Sequence, residues 1–237
     1  MDSLRIKPSE ILNKFQLSEI RQKSDMRNII ALLFDWGMMA LGISLFYLFP
    51  NFLTFLISTV IIGSRQFALA VLAHDGAHHL LFKNAKINDF VSQWFCAYPV
   101  FQDNRVYRPY HLKHHRFTET ENDPDISLSA PFPITKKSFA RKVIRDLSGI
   151  TGYKRYSSVV KGILKTEASS SMTKITKIWD KSRGFLITNS VIFLLISYFS
   201  HWSLFFMLWW FPAFTYYSLI IRIRNIAEHC VTPGNTE

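Results

Sequence analysis

Two cysteines in 237 residues, Cys96 and Cys230, exclude a disulfide framework, and neither belongs to a Cys-x-x-Cys pair. Both are expected as reduced thiols. No Gly/Ser-rich or Pro-rich linker divides the chain, so one domain over residues 1–237 is expected. Met1 to Arg27 intersperses acids and bases without the short apolar core of a secretory signal, and no cleavage is expected there. The most informative absence is of cations. The chain has 28 Lys and Arg against 17 Asp and Glu, a formal net charge of +11, yet no Lys or Arg lies between Asn28 and Ser64 or between Gly184 and Ile221.

Those cation-free stretches are also the apolar ones. About 20 apolar residues cross a bilayer core of roughly 30 Å, and Ile29–Phe49, Phe52–Ala73, Gly184–Phe199 and Leu204–Ile221 each read as a span. Basic residues lie at the N-terminus, around the histidines, along the tract from Lys136 to Lys181, and at Arg222 and Arg224. By the positive-inside rule this places both termini and everything basic in the cytoplasm, with the turns at Pro50 and Trp202 outside. Such a distribution points away from nucleic acid, which a charge of this size would otherwise suggest. The fold class expected is all-α integral membrane: four transmembrane helices with a cytoplasmic helical cap, residues 103–183 being its longest polar segment.

Smaller expectations follow from the same reading. Asp35, the one charge in the first span, needs protein or water around it and has Arg65 as a candidate partner. Ser3 to Asn28 suits a helix along the membrane surface or an ordered soluble helix. Asp89 to Phe101 is too short to span. It reads as interfacial, with Trp94 and Tyr98 at headgroup depth, or as a helix buried under the polar segment. Ala168 to Thr173 reads as a loop. His201, in the second outer turn, reads as an interfacial histidine.

Six of the eight histidines fall in two clusters: His74, His78 and His79 in His-Asp-Gly-Ala-His-His, and His111, His114 and His115 in His-Leu-Lys-His-His. Residues three and four apart share a helix face, and neutral imidazole is the commonest side-chain metal ligand. Both clusters lie just beyond the ends of spans, where helix ends give ligands rigid support. Five to seven nitrogen ligands exceed what one tetrahedral zinc uses, so two metals are the economical interpretation. Imidazole suits iron, copper, nickel or zinc. Asp75 is placed to accept a ligand ring N–H, or to cap a helix or pair with a cation, and Asp123 and Asp125 have the same options.

With His74-x-x-x-His78, His111-x-x-His114-His115 and four spans, the chain resembles the membrane fatty acid desaturase and hydroxylase superfamily, and the run from Asn88 to Asp125 resembles its desaturase branch. The resemblance covers nearly the whole chain. It implies a cytoplasmic centre of two non-haem Fe ions ligated almost wholly by histidine, and O2-dependent removal of two hydrogens from an unactivated acyl chain. His74, His78, His111, His114 and His115 match family ligand positions, and His79 is adjacent to one. Asn225 and His229 match an Asn-x-x-x-His pair that related acyl-CoA desaturases carry after the fourth span, where the histidine ligates and the asparagine holds a metal-bound water. Such desaturases carry a third His-x-x-His-His box some tens of residues further on, and this sequence ends at Glu237 without one. The expectation is a truncated polypeptide that is not a competent desaturase by itself.

The partners this implies are an acyl lipid, acyl-CoA or acyl-ACP substrate, O2, and a separate electron donor of ferredoxin or cytochrome b5 type. Two alternatives stand beside the desaturase: a hydroxylase, ketolase or alkane monooxygenase of the same superfamily, and a non-catalytic metal-binding membrane protein. Product identity separates the first, metal content and O2 dependence the second.

Overall fold

The computed structural model describes residues 8–20, 22–118, 120–129 and 133–229, and all its regular elements are helical. Three stretches are long and apolar enough to cross a membrane: Lys14–Leu48, Phe52–Ala77 and Ser171–Phe199. The long helices within them are α1 (Asp25–Leu48), α2 (Phe52–Ala77) and α7 (Ser171–Phe199), with a short helix, Lys14–Ile20, before α1. At 1.5 Å per residue even the 24-residue α1 extends about 36 Å, more than a bilayer core needs. Leu33 (66% exposed), Leu194 (62%) and Phe199 (73%) turn large apolar side chains outward along these helices. Such a surface is stable against lipid and costly in water.

Between α2 and α7 come α3 (Ala85–Val91), α4 (Asn104–Phe117), α5 (Lys136–Leu147) and α6 (Ile150–Leu164). The last helix, α8, runs Tyr216–His229. Helix α2 is the hub, packing on α1, α4, α8 and the segment Ser92–Ala97. Its buried Ile62 and Leu69 join Met39 of α1, Ile192 and Ile196 of α7 and Leu208 and Trp209 in one core. The Asp35–Arg65 pair forms, Oδ1 to Nη1 3.0 Å, with the Asp35 side chain almost enclosed.

Two departures from the sequence reading share a cause. Leu204–Ile221 is not one helix but a π-helical turn, Phe205–Trp210, then Phe211–Phe214, then α8 after Thr215. Likewise Asp89–Phe101 passes from α3 into a π-helical turn, Ser92–Ala97, and a 3₁₀ turn, Tyr98–Val100. Each π turn is followed within two residues by a proline, Pro212 or Pro99. A proline has no N–H for the carbonyl four residues back and its ring crowds that carbonyl, so the preceding turn widens. One freed carbonyl is used: Phe95 O, four residues before Pro99, accepts from Trp36 Nε1 of α1 at 3.1 Å, while Trp209 O in the second π turn accepts from Gln66 Nε2 of α2 at 2.7 Å.

The same region encloses Tyr98. It is 4% exposed, with its ring edge-on to Phe185 and pressed so closely on Gly184 that a Cβ there would stand 2.1 Å from it. The Tyr98 side chain is therefore buried within the protein, while Phe90 and Phe95 of the same segment remain exposed. The expected loop Ala168–Thr173 is corrected in part. Ser170 caps α7 by accepting from Thr173 N at 3.2 Å, so α7 begins at Ser171 and carries Lys174, Lys177 and Lys181 below its apolar half.

One buried ion pair fastens the polar segment to the last helix. Asp146 of α5, fully buried, accepts from Arg222 Nη2 of α8 at 2.8 Å, from Arg222 Nε and from Thr151 Oγ1.

Candidate metal centre

Helix α2 delivers the first cluster on its last turn. His74 and His78 share a face and their rings stand 4.8 Å apart. Helix α4, capped by Asp103 accepting from Arg105 N at 2.9 Å, delivers the second. His111 and His115, four apart, face the α2 pair: His111 Nε2 lies 2.9 Å from His78 Nε2 and 2.9 Å from His115 Nε2. One ligand nitrogen from each of His74, His78, His111 and His115 lies within 4.8 Å of the others. A neutral imidazole has one N–H and one lone pair, so protein hydrogens alone cannot satisfy three Nε2 atoms crowded together, whereas a cation at their centre satisfies every lone pair. Imidazole nitrogens bind a first-row ion at about 2.0–2.1 Å, so two on one ion stand at most about 4 Å apart. The observed spread fits one ion with small side-chain adjustments.

Supporting carboxylates set the tautomers. Asp75 Oδ1 is 3.2 Å from His74 Nδ1, which leaves His74 Nε2 for a metal when Nδ1 carries the proton. His114 is not in the group of four. Its Nδ1 meets Asp123 Oδ1 at 2.7 Å with both side chains buried, and Asp125 Oδ2 is 3.7 Å away. Asp125 in turn accepts from Tyr110 Oη, folding residues 123–125 back on α4.

His79 is not in the group either, and its backbone explains why. At φ 56° it is left-handed, His79 N donates to Gly76 O at 3.0 Å and Leu80 N to Asp75 O at 2.8 Å. That is the Schellman termination of α2, a role usually given to glycine. The His79 ring turns to Asn88 and Asp89, Nδ1 lying 3.4 Å and 3.5 Å from them. Asn225 is half-buried on α8. His229 closes that helix, and its side chain lies outside the described residues, as does Cys230. His201 sits exposed in the turn after α7, its Nδ1 2.8 Å from Ser203 Oγ.

Burial and the neighbouring imidazoles His74, His115, His78 and His114 push His111 down to about 3, and burial followed by His74 and His115 lowers His78. Both are neutral at pH 7, the form that binds metal. An unfolded chain binds more protons than the folded one between the lowered values and the ordinary imidazole value of 6.5. Folding stability of metal-free protein is therefore expected to fall as pH drops below 6.5. Thermal unfolding of the chelator-treated protein from pH 7.5 to 4.5 checks this, and a melting temperature that rises on acidification would contradict it.

Beside the imidazoles is a largely apolar cavity of about 570 Å³ between α4, α6, α7 and α8. Tyr107, whose ring stacks on His111 (centroids 4.8 Å apart, 12°), forms the wall between them. Phe101, Val106, Val159, Ile163 and Phe185 line it, with Arg155 and Lys181 as its cations. Nothing in the histidine spacing pointed to Tyr107. Its position one turn before His111 was the only available signal.

Comparison with known proteins agrees with these features. The family model described as fatty acid desaturase matches residues 48–235. Dihydrorhizobitoxine desaturase from Bradyrhizobium elkanii is 35% identical over 120 residues, 50% of this chain and 33% of that protein. The chain thus matches about a third of that relative's length. No solved structure matches the chain.

Proposed function

We propose, because this chain belongs to the fatty acid desaturase family, that it is a membrane-bound acyl desaturase built around the imidazoles at the end of α2. The observation that carries the reading is the convergence of His74, His78, His111 and His115 beside an apolar cavity. Two non-haem Fe ions are the cofactor proposed: the four imidazoles suit one, and His114, His229 and Asn225 are the proposed ligands and water-holder for completing the pair, with His79 serving the helix end. When bound, iron supplies the O2-dependent oxidising power that takes two hydrogens from an unactivated acyl chain, as O2 is reduced to two waters with two electrons from a separate ferredoxin or cytochrome b5 type donor. Phe101, Val159, Ile163 and Phe185 would hold the acyl chain and keep water from it, while Tyr107 sets its closest approach to His111. Asp75 would hold the proton at His74 Nδ1. Lys181 and Arg155 suit the acidic carrier of an acyl lipid, acyl-CoA or acyl-ACP.

Fatty-acid profiling of a host membrane expressing the chain extended through a third His-x-x-His-His box, beside a His111→Ala control of the same length, tests the reaction. A new double bond absent from the control is the expected result, and a hydroxylated product or an unchanged profile would overturn it.

The broken helical path from Leu204 to Ile221 is proposed as a fourth crossing, with the histidine end, the polar segment and both termini in the cytoplasm. Single cysteines at Asn51 and Ser203 are then expected to react with impermeant thiol reagents from outside. Labelling of either from the cytoplasm alone would reverse the topology.

A further inference from the structure

A helix end leaves its last four carbonyls without intrahelical partners. At the end of α2, where Gly76 O already accepts from His79 N and Asn88 Nδ2, the carbonyls of Gly76 and Ala77, and that of Ala73 one turn earlier, receive side chains of α4. Asn104 Nδ2 donates to Ala73 O at 2.9 Å, Arg108 Nε to Ala77 O at 2.9 Å, and Arg108 Nη2 to Gly76 O at 3.0 Å. The same guanidinium also donates to Asp89 of α3. Residues 104, 108, 111 and 115 recur at intervals of four, three and four, so they form one stripe on α4. Two members of the stripe grip the α2 backbone, and the next two are His111 and His115. Asn104 is almost wholly buried and the Arg108 side chain is 26% exposed, so neither bond is a surface contact exchanged freely with water.

We propose that Arg108, with Asn104, is a positioning residue that sets the register of α4 on the end of α2 and thereby brings the two histidine pairs to one point. The inference rests on reading those histidines as a metal centre. Imidazole nitrogens must converge within a few tenths of an ångström to share an ion, and side chains on two separate helices do so only if the helices cannot slide. A planar fork suits the task because it binds two successive carbonyls in a fixed geometry. A positive charge there also complements the C-terminal end of the helix dipole. Lysine retains the second property and lacks the first.

The test uses the full chain in detergent, with Co²⁺ as an optical probe of imidazole coordination. Arg108→Lys and Arg108→Ala are each expected to weaken Co²⁺ binding by about 10- to 100-fold, the range for residues that orient ligands, and to alter the ligand-field spectrum. Lys113→Ala, exposed on the same helix and off the stripe, is expected to leave both unchanged. Because Arg108→Ala removes several bonds, Arg108→Lys with unchanged helical circular dichroism is the deciding variant. Wild-type affinity and spectrum in Arg108→Lys would overturn the proposal. A second readout needs no metal: in protein carrying His78→Cys and His111→Cys, with Cys96 and Cys230 replaced by alanine, a short bis-methanethiosulfonate, which forms a disulfide with each thiol and releases methanesulfinate, reports whether α2 and α4 stay in register. Arg108→Lys is expected to lower the cross-linking yield several-fold, and an unchanged yield would overturn the positioning role. Should the wild type bind no Co²⁺ while the cross-link still depends on Arg108, the metal reading fails and the register role stands.

Discussion

Alanine at His111 is expected to abolish stoichiometric metal binding, with at least about a 100-fold loss of affinity, since removing a ligand costs more than the 10- to 100-fold that follows loss of a residue orienting one. His111 is the centre of the group, 2.9 Å from both His78 Nε2 and His115 Nε2, and 93% of its surface is covered according to its 7% exposure. Alanine at His74, His78 or His115 removes one nitrogen of the same four and is expected to act in the same direction. The informative contrast is His79→Gly. His79 ends α2 in a left-handed conformation at φ 56°, which costs a residue with a side chain roughly 1–2 kcal/mol and glycine almost nothing. His79→Gly should therefore keep its metal and melt at the wild-type temperature or slightly above. Metal analysis of the purified variants decides the matter: full metal content in His111→Ala, or metal loss in His79→Gly equal to that in His78→Ala, would remove the distinction drawn between them.

Asp146→Ala is expected to destabilise the protein by about 3–5 kcal/mol, the cost of leaving one member of a buried ion pair without its partner. Arg222 reaches Asp146 through two guanidinium nitrogens, and its side chain is 16% exposed, so water has little access to the cation left behind. The variant also frees Thr151 Oγ1, the third donor on that carboxylate. Replacing both partners together, Asp146→Leu with Arg222→Met, should recover much of the loss because no uncompensated charge remains. Thermal unfolding in one detergent and one buffer measures the series. A single variant within about 1 kcal/mol of wild type, the range of exposed pairs, would show that solvent already screens the pair. Since the pair joins α5 to α8, its rupture is also expected to loosen the cavity walled by α6 and α8.

The sequence by itself determined the helical class, three stretches long and apolar enough to cross a membrane, and the two histidine pairs that could share a metal. Hydropathy over some twenty residues is a property of composition, and intervals of three and four are a property of the α-helix, so neither needs tertiary information. His74 with His78 and His111 with His115 were legible for that reason, as was the need of Asp35 for Arg65. What the other histidines of each cluster would meet was not. His79 stands next to His78, and its orientation depends on α2 ending there, with Asn88 and Asp89 of α3 waiting for its ring. His114 is three residues from His111, yet it meets Asp123, whose place is fixed by a fold-back nine residues on. The π turns before Pro99 and Pro212 are local in cause, but the burial of Tyr98 against Phe185 of α7 and the bond from Gln66 of α2 to Trp209 O become visible only when those helices are packed against them. The meeting of the two pairs was decided by tertiary structure alone, because the spacing of ligands along a helix says which face they share, while the register between two helices is set by bonds such as those from Asn104 and Arg108 to the backbone of α2.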